Sequence, residues 1–482
     1  MIAMTLADVV AVTGGRLHRA TGREQVTSVE FDSRKAAPGV LFLALPGERV
    51  DGHDFAAAAV AAGAAGVLAA REVDAPSVVV PPAAGAAGTY LAENDPDGAG
   101  AAVLAALAKL ARHSVDSLDG LAVVGVTGSS GKTSTKDLLA AVLAPLGPTV
   151  APPGSFNNEL GHPWTALRAD AGTRHLVLEL SARGPGHIGA LCRIAPPRIG
   201  VVLNVGRAHL GEFGSPEAIA QAKGELVEAL PADGVAVLNA DDPAVAAMAS
   251  RTAARVVPVG RSAAALVRAV DVTSDAGRAR FRLVTPAGEA DVALRLVGAH
   301  HIGNALSAAA VALELGATPG GVAASLSAAA PASRWRMEVA DRADGVTVVN
   351  DAYNANPESM RAALDALADL GRDRRTWAVL GRMAELGDSE AAAHAEVAGA
   401  AAELGVGTLV AVGEPGYGSA ARHVTDPAAA LALLRAEVAP GDVVLVKASR
   451  AVGLDRVADA LLHPDVDPAP RDDRQENELV SR

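Results

Sequence analysis

From residue 121 onward the chain repeats one unit: a short continuous apolar run, a glycine-rich turn, and a stretch long enough for a helix. Apolar runs at residues 121–126, 175–180, 199–205 and 235–238 predict strands, and helical stretches such as 216–230 fall between them. Strands that are apolar on both faces and alternate with helices belong to parallel sheets covered on both sides. The more alternating segments 278–284 and 290–296 predict an antiparallel appendage, and a helix at 302–315 ends at Gly316. After residue 333 the alternation restarts, with strands expected at 346–350, 376–380, 408–412 and 442–446. Two doubly wound units are therefore expected in series.

The first 115 residues are different. They mix strand-like runs (40–45, 77–80) with helical ones (55–65, 98–113) and a Pro/Ala/Gly stretch at 81–88. The fold class expected is α/β in three domains: 1–115 mixed α/β, 116–332 a doubly wound P-loop domain, and 333–463 a Rossmann-like domain. Residues 464–482, rich in Pro, Asp and Arg, read as a disordered tail. Aromatics are 2% of the chain, so the cores must be built from Val, Leu, Ile and Ala.

A net charge of −13 argues against a general nucleic-acid binder, so an anionic ligand needs a local device. Cys192 is the lone cysteine, which leaves no disulfide framework or thiolate metal cluster. No apolar run reaches the ~18 residues of a membrane span, and no signal segment opens the chain, so a cytoplasmic protein without membrane insertion is expected. A monomer is the default.

The local device is Gly125-Val-Thr-Gly-Ser-Ser-Gly131-Lys132-Thr133-Ser, between an apolar strand and a helix expected over 134–146. Glycines let the backbone wrap phosphates, with amide N–H groups and the helix N-terminus facing the anion. Lys132 reaches terminal phosphates, and the Thr133 hydroxyl can ligate Mg²⁺. The common spacing asks for glycine at Val126, which is absent. ATP or another nucleoside triphosphate is expected, but the loop does not separate kinase, ATPase and ligase. Glu179 ends the next apolar strand, where a carboxylate can hold Mg²⁺. His209 alone reads as a satisfied loop histidine, and Lys223 alone as an exposed helix lysine. Arg334, Asp351 and Lys447 are unremarkable on spacing.

Together these pieces resemble the Mur ligases, which add amino acids to the peptide of peptidoglycan precursors. The family loop T-G-[ST]-x-G-K-[ST] matches Thr127, Gly128, Ser129, Ser130, Gly131, Lys132 and Thr133, and the likeness runs over roughly residues 20–460. Four stretches point to the branch that adds a dipeptide: Gly154-Ser-Phe-Asn-Asn158-Glu-Leu-Gly, Glu179-Leu-Ser-Ala-Arg-Gly-Pro-Gly186, Asp351-Ala-Tyr353-Asn354-Ala-Asn-Pro-Glu-Ser-Met360, and Leu380-Gly-Arg-Met-Ala-Glu-Leu-Gly387. Two positions depart from the pattern: Arg382, commonly acidic, and His301, often Asn.

The resemblance implies ATP-dependent joining of a carboxylate to an amine through an acyl phosphate. It implies UDP-N-acetylmuramoyl-tripeptide (UDP-MurNAc-tripeptide) and D-alanyl-D-alanine as substrates, and two Mg²⁺ ions. Lys223, fourteen residues after His209, would carry a CO₂-derived carbamate and share the metals with Thr133, Glu179 and His209. His300 and Asn304 would meet the adenine, Asp351 the ribose, and Arg334 the γ-phosphate. Ser33, Arg34, Asp51, Gly52 and His53 would bind the UDP end, and Asn158, Tyr353 and Asn354 the peptides. The third peptide residue stays open between meso- or LL-diaminopimelate and lysine. Another Mur-type ligase or a relative in secondary metabolism is the alternative within this chemistry. A P-loop kinase or regulator is the alternative outside it.

Overall fold

The computed structural model describes residues 1–47, 50–83, 91, 95–207 and 210–463. His209, part of the 81–88 stretch and the expected tail at 464–482 lie outside them.

The N-terminal sheet has five strands in the spatial order Arg16–His18, Ser77–Val79, Gly66–Ala69, Val40–Leu43, Ser28–Glu30. Only the first pairing is antiparallel. Val40–Leu43 is buried throughout, as a continuous apolar run between two covered faces should be. The helix expected over 55–65 is shorter: a 3₁₀ turn, Gly52–Phe55, leads into Ala56–Ala61. Gly63, at φ +115°, then turns the chain toward the strand Gly66–Ala69.

Helix Ala99–Asp116 joins the first two regions into one packing unit. Val103, Leu107, Leu110 and Ala111 form a fully buried stripe at helical spacing. The helix packs on Leu6–Thr13 from one side and on Gly161–Ala166 and His187–Ile194 from the other. One core therefore holds Leu41 and Leu68 of the first sheet together with Leu160, Leu176 and Leu178 of the second region. Trp164 reinforces the junction: its Nε1–H donates to the Val29 carbonyl at 3.0 Å, and its ring meets those of Phe31 and Phe156.

The central sheet has nine strands, ordered Gly288–Val297, Arg278–Thr285, Val267–Asp275, Arg255–Gly260, Val235–Asn239, Ile199–Val202, Ala122–Thr127, His175–Glu179, Thr149–Val150. The first two pairings are antiparallel and the rest parallel. The expected appendage is thus the edge of this same sheet. Phe281, Leu283, Val292 and Leu294 carry the reason: their apolar face shares the core beneath helices His301–Glu314 and Pro319–Ala328 and cannot stand apart.

The third sheet runs Glu338–Asp341, Thr347–Asn350, Val443–Lys447, Thr376–Leu380, Thr408–Val412, Arg422–Val424, antiparallel only at its first pairing. Separate cores cover its two faces. The strand expected at 442–446 starts one residue later, because buried Asp442 turns its carboxylate to Arg375 and the Trp377 indole N–H. In doubly wound sheets the carboxyl ends of the central strands are where crevices form, and here residues of both regions, with Arg336 and Met337 of the connecting segment, line one cleft.

Leu110→Ala should cost about 2–5 kcal/mol through the cavity it leaves. Urea unfolding followed by circular dichroism should show the N-terminal and central regions melting together at lower denaturant; an unshifted midpoint would deny the shared core.

Candidate active site

The phosphate loop begins where the strand Ala122–Thr127 ends. Val126 is fully buried inside that strand, so a glycine there would serve no turn, which accounts for the departure from the common spacing. Thr127 also stays in the scaffold: it is buried and its hydroxyl donates to the Leu180 carbonyl at 2.9 Å. Asn204 fixes the loop, accepting from the Ser130 N–H at 2.9 Å through Oδ1 and from the Ser129 N–H at 3.2 Å through its carbonyl. A Cβ on Gly128 would stand 2.9 Å from the Leu203 Cβ, and one on Gly131 (φ +83°) 2.7 Å from the Asn304 Oδ1. The helix begins at Lys132, two residues before the expected 134, with no side-chain cap over its first amides. That leaves them to an anion. The Lys132 ammonium folds back to donate to the Gly128 carbonyl at 2.6 Å, and desolvation lowers its pKa against the pull of Glu179.

Glu179 is fully buried. Its Oε2 accepts long contacts from Thr133 (3.3 Å), Ser155 (3.4 Å) and Asn157 (3.5 Å), while its Oε1 has no hydrogen-bond partner. Burial pushes this carboxyl up, opposed by Lys136, Lys132 and Arg336. An orphaned carboxylate oxygen beside a hydroxyl and a phosphate loop fits a hard divalent cation. Lys223 corrects the reading made from its helix alone. It is 5% exposed on Pro216–Glu228, with no hydrogen-bond or ion-pair partner among the described residues. Burial, and then the nearby Lys132 charge, push its pKa well below the lysine range, which favours a neutral amine. A neutral amine is the form that adds CO₂, so Lys223 fits a carbamate. His209 lies outside the described residues.

Arg334 requires correction. It is exposed, its guanidinium lies 5.0 Å from the Trp335 ring centre, and it does not line the cleft. Arg336 does. Its Nη2 donates to the Thr133 hydroxyl at 3.2 Å, and its guanidinium stacks 4.0 Å from the Tyr353 ring centre. Trp335 and Met337, both buried, take positive φ (57° and 50°) and turn the intervening arginine toward the loop. Two arginines flank one tryptophan in the sequence, and nothing in that pattern separates them.

The third region supplies the opposite wall. Asp351 is bound on both oxygens, by the Lys447 ammonium at 2.6 Å and the Met337 N–H at 3.0 Å. Lys447 also donates to the Asn354 carbonyl at 2.8 Å. Tyr353, Asn354, His300 and Asn304 line the same cleft, as does Asn158, whose Oδ1 accepts from the Leu160 and Gly161 N–H groups. His301, the second departure, is buried and does not line the cleft; its ring lies tilted against that of His300, centres 4.1 Å apart. Arg382 points away from the cleft, paired with Glu390. The walls are tied together by Arg207, which pairs with Glu396 (2.8 Å) and Glu358 (3.4 Å), and by Asp137, which accepts from the Ser333 N–H at 3.1 Å.

Ser33, Arg34, Asp51, Gly52 and His53 do not line this cleft. Arg34 pairs with Asp32. Burial opposes ionisation of Asp51, but the His53 N–H and ring and Arg71 together hold its carboxyl at about 2. A Cβ on Gly52 would stand 2.6 Å from the Leu45 backbone, so the segment is locked against the strand before it. A second cluster, Glu390, His394 and Glu414, has ligand atoms within 4.8 Å of one another. Both His394 ring nitrogens are already used, by the Met383 N–H and the Glu390 carbonyl, so this is a hydrogen-bonded corner. No helix among the described residues is long and apolar enough to cross a membrane.

Three family models match in chain order: Mur ligase family, catalytic domain, over 25–114; Mur ligase middle domain over 126–312; and Mur ligase, glutamate ligase domain, over 335–450. The chain is 56% identical over 505 residues to the UDP-N-acetylmuramoyl-tripeptide–D-alanyl-D-alanine ligase of Mycobacterium tuberculosis, covering 96% of this chain and 99% of that one. The Escherichia coli protein of the same name is 35% identical at the same coverage. A crystal structure of MurF from Acinetobacter baumannii superposes with a TM-score of 0.84 at 30% identity, covering 95% and 99% of the two chains. That of MurF from Thermotoga maritima in complex with ADP gives 0.75 at 30%, covering 90% and 96%.

Arg336→Ala should slow ATP consumption about 100-fold, the scale of one lost donor to developing charge, while Arg334→Ala leaves it near wild type. Phosphate-release rates for the two variants decide between them, and the reverse ranking would refute the placement.

Proposed function

The chain belongs to the Mur ligase family, and from that premise we propose that it joins UDP-MurNAc-tripeptide to D-alanyl-D-alanine with ATP, giving the UDP-MurNAc-pentapeptide of peptidoglycan synthesis. The observation that carries this is the cleft itself. A phosphate loop, with the buried Glu179 carboxylate against its Thr133 hydroxyl, faces Arg336, Lys447 and Asp351 across the cleft. The whole-chain likeness to ligases of that name supports the choice of substrates.

A carboxylate does not acylate an amine at neutral pH, because it is a poor electrophile with no leaving group. Its terminal oxygen attacks the γ-phosphorus, the bond to the β-γ bridging oxygen breaks, and ADP leaves. Lys132, Arg336 and the helix N-terminus at residues 131–133 offset the charge that gathers on the equatorial oxygens. The dipeptide amine then attacks the acyl carbon, the C–O bond to phosphate breaks, and the amide forms with loss of the amine proton. Thr133, Glu179 and carbamylated Lys223, with His209, would hold Mg²⁺, which when bound neutralises the phosphates. His300 and Asn304 would meet the adenine, and Asp351 the ribose. The N-terminal sheet grips the UDP end through Ser33, Arg34 and the Asp51–Gly52–His53 turn. Closure around residues 333–337 keeps water from the acyl phosphate. Both substrates are metabolites of the cytoplasm, where the enzyme acts.

Phosphate release should require UDP-MurNAc-tripeptide and D-alanyl-D-alanine together and yield a pentapeptide by mass. Release with a single amino acid and the UDP-dipeptide would make the protein a sibling ligase. Lys223→Ala should lose about 10–100-fold in rate and recover partly with added short carboxylic acids. Undiminished activity in that variant would rule out the metal-bridging role.

A further inference from the structure

The phosphate loop rests on residues 204–207, and this short run is held from both the central and the third region. Asn204 takes the Ser129 and Ser130 N–H groups. The Val205 N–H donates to the Asp242 carboxylate of the central region at 2.8 Å. The Gly206 N–H donates to the oxygen of the buried Ser129 hydroxyl at 2.8 Å, and that hydroxyl donates back to the Gly206 carbonyl at 3.4 Å. The Arg207 N–H turns the other way. It donates at 2.9 Å to Glu358 Oε1, in the first turn of the third region's helix Pro357–Leu370.

Glu358 meets this run closely. A Cβ on Gly206 would stand 2.8 Å from the Glu358 Cδ, so glycine is what lets the carboxylate lie against the chain. Oε1 also takes the Arg207 Nε–H at 3.4 Å, while Oε2 is buried without a hydrogen-bond partner. Holding an unpaired oxygen there costs free energy, which the bond to the Arg207 N–H must offset. Glu396 differs: its pair with Arg207 joins two exposed side chains and touches no backbone of the run, and pairs of that kind contribute little. Without Glu358 the Arg207 N–H loses its acceptor, and the Gly206–Ser129 bond is steadied from the Asp242 side alone. The aim of the loop amides at an anion depends on where this run lies. We propose that Glu358 is a positioning residue for the phosphate loop. It acts through Arg207, Gly206 and Ser129, so that the loop is set for nucleotide phosphates only while the third region is docked. This needs the loop to bind a nucleotide and is independent of which peptides are joined.

Calorimetric titration of the full chain with ADP and Mg²⁺ tests this without either peptide substrate. Glu358→Ala should weaken ADP binding about tenfold, the scale of one hydrogen bond to a charged group. Glu358→Gln keeps an acceptor for the Arg207 N–H and should recover most of that loss, which also separates the effect from misfolding. Glu396→Ala should stay near wild type. Ser129→Ala removes the link to the loop, so adding Glu358→Ala to it should weaken ADP no further. Additive losses in that double variant would overturn the proposal, because Glu358 would then act by docking alone. Undiminished ADP affinity in Glu358→Ala, an equal loss in Glu396→Ala, or no recovery in Glu358→Gln would overturn it too. Absence of ligation by wild type in the assay above would overturn the ligase reading alone.

Discussion

The cleft depends on one constraint: its charges have been taken out of water before any substrate arrives. Glu179, Lys223, Asp351 and Lys447 are each at most 8% exposed. Burying an ion costs several kcal/mol unless partners replace its hydration. Asp351 and Lys447 replace it with each other. Glu179 keeps one oxygen unpaired, and burial pushes the pKa of Lys223 well below the usual lysine range. Those two incomplete solutions make the site receptive to phosphates and cations. Their preorganised charges need not reorient when charge develops in the reaction.

The three sheets hold this arrangement unequally. The N-terminal and central regions share a core through helix Ala99–Asp116 and behave as one body. The third region meets them largely through polar contacts: Arg207 to Glu396, Arg336 to Thr133, Ser333 to Asp137, and Ser274 to Asp369. Contacts of that kind separate at lower cost than a shared apolar core. Residues 333–337, with two positive-φ backbone positions, lie where the sheets can part. The same segment carries Arg336, which couples the approach of the third region to the phosphate loop.

Much of the fold was legible because continuous apolar strands have few alternatives. The strands Thr376–Leu380 and Thr408–Val412 lie where the pattern puts them, and the phosphate loop is where its glycines predict. The alternation at 278–284 and 290–296 matches two antiparallel pairings, but alternation shows that one face is buried and not what buries it, so their place at the edge of the central sheet is not legible in the sequence. Lys223 shows the same gap from the other side: its neighbours in sequence are small, but its burial comes from elements far along the chain. Arg334 and Arg336 differ by backbone turns at Trp335 and Met337, which composition does not encode.

Amide formation in the cleft proceeds by transfer of phosphate to the peptide carboxylate. Tripeptide labelled with ¹⁸O in its terminal carboxylate tests this most directly, by the mass of the phosphate released during ligation to D-alanyl-D-alanine. One labelled oxygen should pass from the carboxylate into each phosphate. Unlabelled phosphate alongside ligated product would contradict it, because the carboxylate oxygen would never have bonded to phosphorus.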